Sequence, residues 1–223
     1  MLKLGIDDAG RGPVIGPMIL AGCLIDDKTE SEFRRLGVKD SKQLSEKRRE
    51  FLADMIREKA ETFEVVIISP EEIDYNNKIG IKLNEVEAFA CAKIINKINK
   101  GYSEMKVILD CPSTSIVKWK DFLKTKIDNL SNLEVVCEHK ADKNHIAVSA
   151  ASILAKSVRE KEMLRLKEKF GKDMGSGYTS DAITKTFLKK NIKKYNNEGI
   201  FRKSWATWKV AARTITQKKL GDF

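Results

Sequence analysis

The stretch Gly5-Ile6-Asp7-Asp8-Ala9-Gly10-Arg11-Gly12-Pro13 decides the fold of this 223-residue chain. Alternating apolar residues from Leu2 to Ile6 predict a first strand that ends at two adjacent carboxylates. Because successive side chains of a strand point to opposite faces, Asp7 and Asp8 can share one site only where the strand ends. The glycines that follow predict a turn in which backbone N–H groups approach a ligand without a Cβ in the way. An ordinary strand exit with two solvated acids also explains the stretch, so other parts of the chain have to decide.

The charge balance favours a polyanionic partner. Lysine and arginine number 42 against 32 aspartate and glutamate residues, for a formal net charge of +10. A basic proteome or simple solubility would explain the same excess. However, the acids concentrate in a few apolar contexts, while basic residues cover the helices and the C-terminal third. A basic surface around an acidic pocket is how a metal-dependent nuclease is built, so we expect nucleic acid as the partner.

The composition otherwise describes a soluble globular chain that we expect in the cytoplasm. Hydrophobic residues make up 42% of the chain and charged residues 33%. No stretch approaches the roughly 20 apolar residues that span a bilayer, and no basic and apolar leader precedes Gly5. We therefore expect no membrane partner.

The cysteines and histidines predict structural roles rather than a metal site. The four cysteines have no paired spacing of the zinc-binding kind and a chain of this size does not need disulfides, so we expect them to be buried: Cys23, Cys91, Cys111 and Cys137. The two histidines, His139 and His145, are too few for a histidine-based site. A metal in this protein would have oxygen ligands.

Hydrophobic periodicity predicts an α/β fold. Apolar runs predict strands at the N-terminus and over Val14–Ile25, Thr62–Ser69, Met105–Leu109 and Leu133–Cys137. Helical spacing and capping residues predict helices over about Ser45–Ala60, after Ser69-Pro70, and over Lys82–Asn99, Trp119–Leu130, Ile146–Gly171 and Ser180 onward. The residues Asp26–Glu32 are predicted as a polar connection, and the first two strands as a hairpin through the glycine turn. The order of elements predicts a mixed five-stranded sheet flanked by helices, with a C-terminal helical extension.

Acidic residues recur at the ends of predicted elements. Asp110 follows the strand Met105–Leu109 as Asp7 and Asp8 follow the first strand, and Asp142 precedes a long helix rich in small residues. Ligands in open α/β sheets gather at the carboxyl ends of strands, so these four acids could converge. Asp142 is also explained as a helix cap, since a carboxylate is stabilised beside a helix N-terminus.

Four converging carboxylates would form a site for hard divalent cations, Mg²⁺ or Mn²⁺. Two such ions roughly 4 Å apart can activate a water and stabilise the leaving oxygen of a phosphodiester. Without metal the acids repel one another, so we expect at least one raised pKa among them. A second cluster, Val38–Lys42, carries two lysines and a serine that could grip a phosphate or, equally, lead into the next helix.

Six stretches of the chain resemble ribonuclease HII, the type 2 ribonuclease H family, and most of all its archaeal members. They are GIDDAGRGPVIGPM, KDSKQLSEKRRE, ILDCPS, ADKNHIAVSAASILAKSVRE, GSGYTSD and RKSW, and they run from residue 5 to about residue 208. The resemblance implies an RNase H-like fold. It also implies cleavage of RNA in RNA/DNA hybrids, or at ribonucleotides embedded in duplex DNA, by two-metal-ion hydrolysis that leaves 3′-hydroxyl and 5′-phosphate ends. We expect a catalytic domain over residues 1–175, a helical subdomain packed on it over 176–216, and a flexible tail over 217–223.

The resemblance also implies roles for individual residues. The family's four metal-binding acids fall on Asp7, Asp8, Asp110 and Asp142. Its loop that reads the ribose 2′-hydroxyl falls on Gly10, Arg11 and Gly12, its junction-recognising tyrosine on Tyr178, and basic positions near substrate phosphates on Lys42 and Lys143. Only the 2′-hydroxyl separates RNA from DNA locally, so a glycine turn beside the metals is a reasonable discriminator. Tyr178 is also explained as a loop tyrosine packed on the surface.

Position 8 departs from the family pattern, because the second acid is normally glutamate and here it is aspartate. A displacement of about 1 Å at a reacting group can lower a rate roughly 10²-fold. We expect activity with an altered metal preference. The alternative is a catalytically impaired protein that binds hybrids without cleaving them.

A further alternative is a nuclease of the same fold that belongs to another family. A junction resolvase or transposase-like nuclease of the same fold would share the acids but lack the glycine loop and Tyr178.

At the C-terminus, the spacing of Gln217, Leu220 and Phe223 is similar to that of a sliding-clamp-binding peptide, although such peptides usually show two adjacent aromatics and this one has one. A terminal peptide of this kind could dock on a partner.

Overall fold

A five-stranded sheet forms the centre of the fold. The structure, a computed structural model, describes residues 1–39 and 44–220, with backbone alone for residues 215–220. The strands are β1 (Lys3–Ala9), β2 (Met18–Ile25), β3 (Thr62–Ile68), β4 (Met105–Asp110) and β5 (Leu133–Glu138), in the spatial order β3-β2-β1-β4-β5.

The strand pairing places the acids of β1 and β4 at one edge of the sheet. β1 is antiparallel to β2 and parallel to β4, and β4 is parallel to β5. In the parallel pair, Ile6 stands opposite Leu109, so the next residues along the two strands are Asp7 and Asp110. This confirms the predicted mixed sheet and brings the two strand ends together.

Nine described helices flank or follow these strands. They are α1 (Asp27–Leu36), α2 (Glu46–Lys59), α3 (Pro70–Lys78), α4 (Leu83–Ile98), α5 (Ile116–Lys124), α6 (Ala141–Asn144), α7 (Ile146–Phe170), α8 (Ala182–Asn191) and α9 (Ala206–Leu220). None of the helices in the described ranges is long and apolar enough to cross a membrane.

The small residues of α7 allow it to approach the sheet closely. A Cβ on Gly5 of β1 would lie only 2.1 Å from the carbonyl carbon of Ala147, so β1 and α7 meet backbone to backbone. Ala147, Ala150 and Ala151 are all buried in the same cluster as Ile19 of β2. This close approach fixes α7 beside the strand that carries Asp7 and Asp8.

The prediction of a polar connection over Asp26–Glu32 is wrong, because α1 begins at Asp27. Asp26 caps the helix by accepting a hydrogen bond from the Thr29 N–H at 2.7 Å. Phe33 is completely buried, and Gly37 ends the helix with a φ of 82°. One buried aromatic residue and good caps are enough to order a segment that is otherwise charged.

The predicted strand Val14–Ile25 is too long, because β2 begins only at Met18. The preceding residues pair with a later segment: the Val14 carbonyl accepts from the Arg202 N–H at 2.9 Å, and the Gly16 N–H donates to the Ile200 carbonyl at 3.0 Å. The two strands do pair as a hairpin, but through a longer connection than the predicted tight turn.

The predicted helix Trp119–Leu130 is shifted, since α5 covers Ile116–Lys124. The residues after it are held outside the helix by Asn96 of α4. Its side chain accepts from the Asp128 N–H at 3.0 Å and donates to the Lys126 carbonyl at 3.1 Å. These long-range bonds end the helix earlier than its local spacing suggests.

The chain divides into two compact units. Unit 1 comprises Met1–Ala9, Ile19–Val66 and Leu83–Val158, and unit 2 comprises Gly10–Met18, Ile67–Lys82 and Arg159–Phe223. The core of unit 1 packs α1, α2 and α7 on the sheet, whereas that of unit 2 gathers apolar residues around Phe187 and Phe201. The division at residue 175 stays a prediction.

Candidate active site

Three of the four predicted acids line one pocket in unit 1. Asp7 and Asp8 come from β1, and Asp110 is the last residue of β4. The residues lining the pocket are Ile6, Asp7, Asp8, Leu20, Glu87, Cys91, Asp110, Pro112 and Trp119. Acidic side chains and apolar side chains therefore share this pocket, and three of the predicted acids converge there as their positions near two strand ends predict.

Asp7 is held in place within this pocket and cannot easily ionise there. Its side chain is 7% exposed, and it accepts hydrogen bonds from the Asp8 N–H at 2.8 Å and from Ser152 of α7. Burial, followed by the charge of Asp8, raises the pKa of Asp7 to about 8, and Asp110 adds to the rise. One of the acids thus has the raised pKa that was expected, although burial contributes more to the rise than repulsion between the acids does.

Asp110 connects the pocket to the fourth predicted acid. Its carboxylate accepts a hydrogen bond from the Ala141 N–H at 3.1 Å, which is at the start of α6. Asp142 is the next residue of that helix and is 5% exposed, and its backbone carbonyl accepts from the Ser149 hydroxyl. Asp142 is thus the sequence neighbour of Ala141, which binds Asp110. The side chain of Asp142 does not line the pocket.

The donor set fits a hard divalent cation. In the described ranges, no group of three or more histidine, cysteine, aspartate or glutamate side chains is arranged to hold a single metal ion. Mg²⁺, however, commonly uses only one or two carboxylates together with waters and substrate phosphate. Cys91 also lines the pocket, but burial and then the charge of Glu87 raise its pKa well above the usual value, so it stays a thiol. The pocket offers oxygen ligands.

Two residues of this region escaped the sequence reasoning. Glu87 of α4 lines the pocket and is only 2% exposed, and Ser152 of α7 binds Asp7. Glu87 did leave a signal, because it falls four residues after Leu83 and four before Cys91, on the apolar stripe of α4. A carboxylate on an apolar stripe indicates a buried charge. Ser152 lies among the small residues of α7, and nothing in the local sequence marks it as a partner of Asp7.

The glycine loop, Gly10-Arg11-Gly12, lies in unit 2, and its two glycines differ in the space around them. Gly10 has a φ of 82°, and a Cβ there would come within 2.4 Å of Arg159 Nε and 2.9 Å of the Pro17 carbonyl. Gly12 is exposed, and the nearest atom to a Cβ would be Tyr178 Cε1 at 3.8 Å. Gly10 is therefore required by the backbone, whereas Gly12 leaves the outer face of the loop open.

Tyr178 stands beside this loop in the same unit, as the two sequence motifs suggest. It is 39% exposed, with the guanidinium of Arg159 5.0 Å from its ring centroid. The Arg159 side chain also donates to the Ser176 carbonyl at 3.1 Å. Asp181 accepts from the Ser176 N–H and hydroxyl, and these bonds hold the pKa of Asp181 well below its usual range. Arg159 and Asp181 thus both hold the backbone at Ser176, two residues before Tyr178.

The remaining predicted residues are placed only in part. Lys143 is exposed on α6. The backbone of Gln217 and Leu220 belongs to α9, while Lys42 and Phe223 lie outside the described residues.

Each histidine ring lies close to an oxygen atom of another residue. His139 Nδ1 lies 3.1 Å from the Cys111 carbonyl, and His145 Nε2 lies 2.9 Å from the Glu138 carboxylate. The four cysteines are buried, as predicted.

Comparisons with known proteins identify one family over most of this chain. The family model described as ribonuclease HII matches residues 4–208. A ribonuclease HII of Methanococcus maripaludis is 42% identical over 220 residues, covering 97% of this chain and 88% of the relative.

Two solved structures are similar over almost their whole length. The ribonuclease H2 of Pyrococcus horikoshii superposes with a TM-score of 0.86 at 35% identity, covering 96% of this chain and 98% of that one. The PCNA:RNase HII complex of Archaeoglobus fulgidus gives a TM-score of 0.80 at 41% identity, covering 92% and 95%. The predicted RNase H-like fold is confirmed by these structures.

Proposed function

The chain belongs to the ribonuclease HII family and is a ribonuclease H, and from this premise we propose that it cleaves RNA/DNA hybrids and duplex DNA containing single ribonucleotides. The products carry 3′-hydroxyl and 5′-phosphate ends. The observation that carries the proposal is the pocket in which Asp7, Asp8 and Asp110 meet at the ends of β1 and β4. A phosphodiester cleaved beside these acids needs cations to neutralise them.

The family depends on divalent metal, and in this chain Asp7, Asp8, Asp110 and Asp142 would hold it. When bound, two Mg²⁺ or Mn²⁺ ions supply the charge that activates a water and stabilises the leaving oxygen. The protein's own part is orientation. Ser152 and the Asp8 N–H fix the Asp7 carboxylate, and the Ala141 N–H fixes that of Asp110. Held this way, the acids need little rearrangement as ions and substrate enter.

Ribose recognition falls to the glycine loop in this proposal. Gly10, Arg11 and Gly12 contact the 2′-hydroxyl, and the exposed ring of Tyr178 contacts the neighbouring nucleotide. Gly12 supports this role, since its open outer face lets a sugar approach the backbone. Lys143, exposed on α6, and Lys42 bind substrate phosphates.

The test is cleavage of a duplex with one embedded ribonucleotide beside an otherwise identical all-DNA duplex, in Mg²⁺, Mn²⁺ and EDTA. We expect metal-dependent cleavage of the first duplex alone. Equal cleavage of both would indicate a DNA nuclease of the same fold, and binding without metal-dependent turnover would indicate the impaired hybrid-binding alternative. The relatives, all named as ribonucleases, give that last alternative no support.

A sliding clamp is a second proposed partner, through Gln217, Leu220 and Phe223. The support is the PCNA complex of the Archaeoglobus fulgidus relative, together with the peptide spacing at the C-terminus. Deleting residues 217–223 should abolish clamp binding while leaving cleavage of a free duplex unchanged. Unchanged clamp binding after the deletion would refute this partner site.

A further inference from the structure

A single segment of unit 2 binds all three carbonyls of the glycine loop. Arg202 donates from Nη2 to the Gly10 carbonyl at 2.6 Å and from Nη1 to the Arg11 carbonyl at 2.7 Å. Trp205 donates from Nε1 to the Gly12 carbonyl at 3.1 Å. Every carbonyl of the loop therefore has a side-chain donor from residues 202–205.

Arg202 is unusually committed to this task. It is a charged side chain with no exposed surface, and its Nε donates to the Gly16 carbonyl at 3.0 Å. Burying a guanidinium is costly unless its donors are satisfied, and its planar fork fixes the directions of the acceptors. The side chain therefore sets the path of the loop's backbone.

The segment itself is anchored from two sides. The Arg202 N–H donates to the Val14 carbonyl at 2.9 Å, which ties the segment to the chain just after the loop. Asp74 of α3 accepts from the Lys203 N–H at 2.7 Å and from the Ser204 N–H at 2.8 Å. Arg202 and Trp205 are thus presented to the loop from a rigid base.

Holding the carbonyls also orients the N–H groups. In a trans peptide the C=O and the following N–H point in opposite directions, and the described chain contains no cis peptide. The N–H groups of Arg11 and Gly12 are therefore directed away from Arg202, while Pro13 has none. The carbonyls of the loop are thus engaged on one side, and the N–H groups of Arg11 and Gly12 point to the opposite side.

We propose that Arg202 and Trp205 are positioning residues that set the ribose specificity of the glycine loop. By engaging its carbonyls, they make the loop a hydrogen-bond donor toward the 2′-hydroxyl oxygen, which a deoxyribose lacks. This inference rests on the proposed function of the loop. It adds the residues that hold the loop in its reading conformation.

The test compares two neighbouring tryptophans, Trp205 at the end of the segment and Trp208 in the first turn of α9. Trp205→Phe removes the N–H bonded to Gly12 and keeps an aromatic ring. Trp208→Phe is the matched control, because among the described residues its Nε1 has no hydrogen-bond partner. Arg202→Lys keeps the charge but replaces the fork with a point donor. Dissociation constants are measured in Ca²⁺ for duplexes with and without one ribonucleotide, with the melting temperature of each variant.

We expect Trp205→Phe to reduce the preference for the ribonucleotide duplex about two- to tenfold, the worth of one hydrogen bond. Arg202→Lys should reduce it further, and Trp208→Phe should leave it unchanged. All-DNA binding should be unaffected in Trp205→Phe. An unchanged preference in Trp205→Phe, or an equal weakening on both duplexes, would overturn the inference. A wild-type protein with no preference would instead refute the proposed function of the loop.

Discussion

The carboxylate pocket of unit 1 and the glycine loop of unit 2 are close in sequence, since Asp8 lies two residues before Gly10, but they are built in opposite ways. In the pocket, burial and the charge of Asp8 raise the pKa of Asp7 to about 8, so the ionised form of this carboxyl group is disfavoured. In the loop, each carbonyl of Gly10, Arg11 and Gly12 has a donor at 2.6 to 3.1 Å. The pocket therefore holds an acid whose ionised form is disfavoured, whereas the carbonyls of the loop already have their hydrogen bonds.

This difference indicates how the two sites meet their ligands. A pocket of repelling acids gains stability when cations enter, so metal binding and protein stability should be coupled. A loop with engaged carbonyls needs little reordering to meet a sugar, so its contribution is selectivity at low entropic cost. Perturbing the pocket should therefore change the rate, and perturbing the loop should change the choice of substrate.

The largest expected effect is that of Asp7→Asn on the cleavage rate. The amide removes charge that holds cations, so single-turnover cleavage of the ribonucleotide duplex should fall by more than about 100-fold, the upper end for loss of an outer-shell partner. Asp54→Asn, on the exposed surface of α2, is the matched control and should leave the rate unchanged. A rate within threefold (roughly 0.7 kcal/mol) of the wild type in Asp7→Asn would contradict the assignment.

The second expected effect is on the pH dependence of stability without metal. The pKa of Asp7 is about 8 in the folded protein against 3.8 for an ordinary aspartate, so the folded state holds the proton more tightly. Raising the pH from about 4 to about 8 should therefore lower the free energy of unfolding, measured by urea denaturation in EDTA. Asp7→Asn should have a flatter profile over this range.

Metal binding provides the complementary check on this carboxyl. Because the cation needs the ionised form, binding at pH 7 should release a proton, seen as a buffer-dependent enthalpy in calorimetry. Equal enthalpies in buffers of different ionisation heat, or parallel stability profiles for wild type and variant, would show that Asp7 is already ionised.

A third, smaller effect separates the two glycines of the loop. Gly10→Ala should destabilise the protein by at least about 1–2 kcal/mol, because its positive φ and its contacts with Arg159 and Pro17 leave no room for a Cβ. Gly12→Ala should change stability by no more than about 0.5 kcal/mol, as an exposed substitution without a clash. Both are measured by thermal and urea unfolding.

The same pair tests recognition. If the backbone of Gly12 meets the sugar, Gly12→Ala should lose preference for the ribonucleotide duplex while keeping its melting temperature. Equal destabilisation by the two alanines would argue that the loop is not held as described.

The smallest effect is expected for Asp8→Glu, which lengthens the carboxylate by one methylene toward the family's usual residue. Its fold and ribose preference should be unchanged, since Asp8 is only half-buried and lies outside the loop. We expect the ratio of rates in Mg²⁺ and Mn²⁺ to change, because the position of the acid relative to the ions changes. Identical profiles for both proteins would refute this.

Local sequence patterns predicted the elements that carry the acids, but not the residues that support them. Apolar runs that end in an acid identified Asp7, Asp8 and Asp110. This was possible because alternating apolar residues and turn residues mark the end of a strand in the local sequence. The prediction of a strand over Val14–Pro17 is wrong because the burial of this stretch comes from pairing with residues around Phe201.

Local periodicity does not identify the buried charged residues either, because their partners lie far away in the sequence. Arg202 is completely buried because acceptors far upstream in the sequence satisfy its donors. A charged residue of this kind reads as solvent-exposed in any local window. Glu87 is the exception, since its place on an apolar helical stripe could have marked it as buried.

The most direct test measures binding and cleavage of the same pair of duplexes by Asp7→Asn. We assign cleavage to the pocket and ribose selection to the loop. We therefore expect this variant to bind the ribonucleotide duplex more tightly than the all-DNA duplex, with the same ratio of dissociation constants as the wild type, and to cleave neither. Cleavage at the wild-type rate in Mg²⁺, or loss of the binding preference together with the rate, would contradict it.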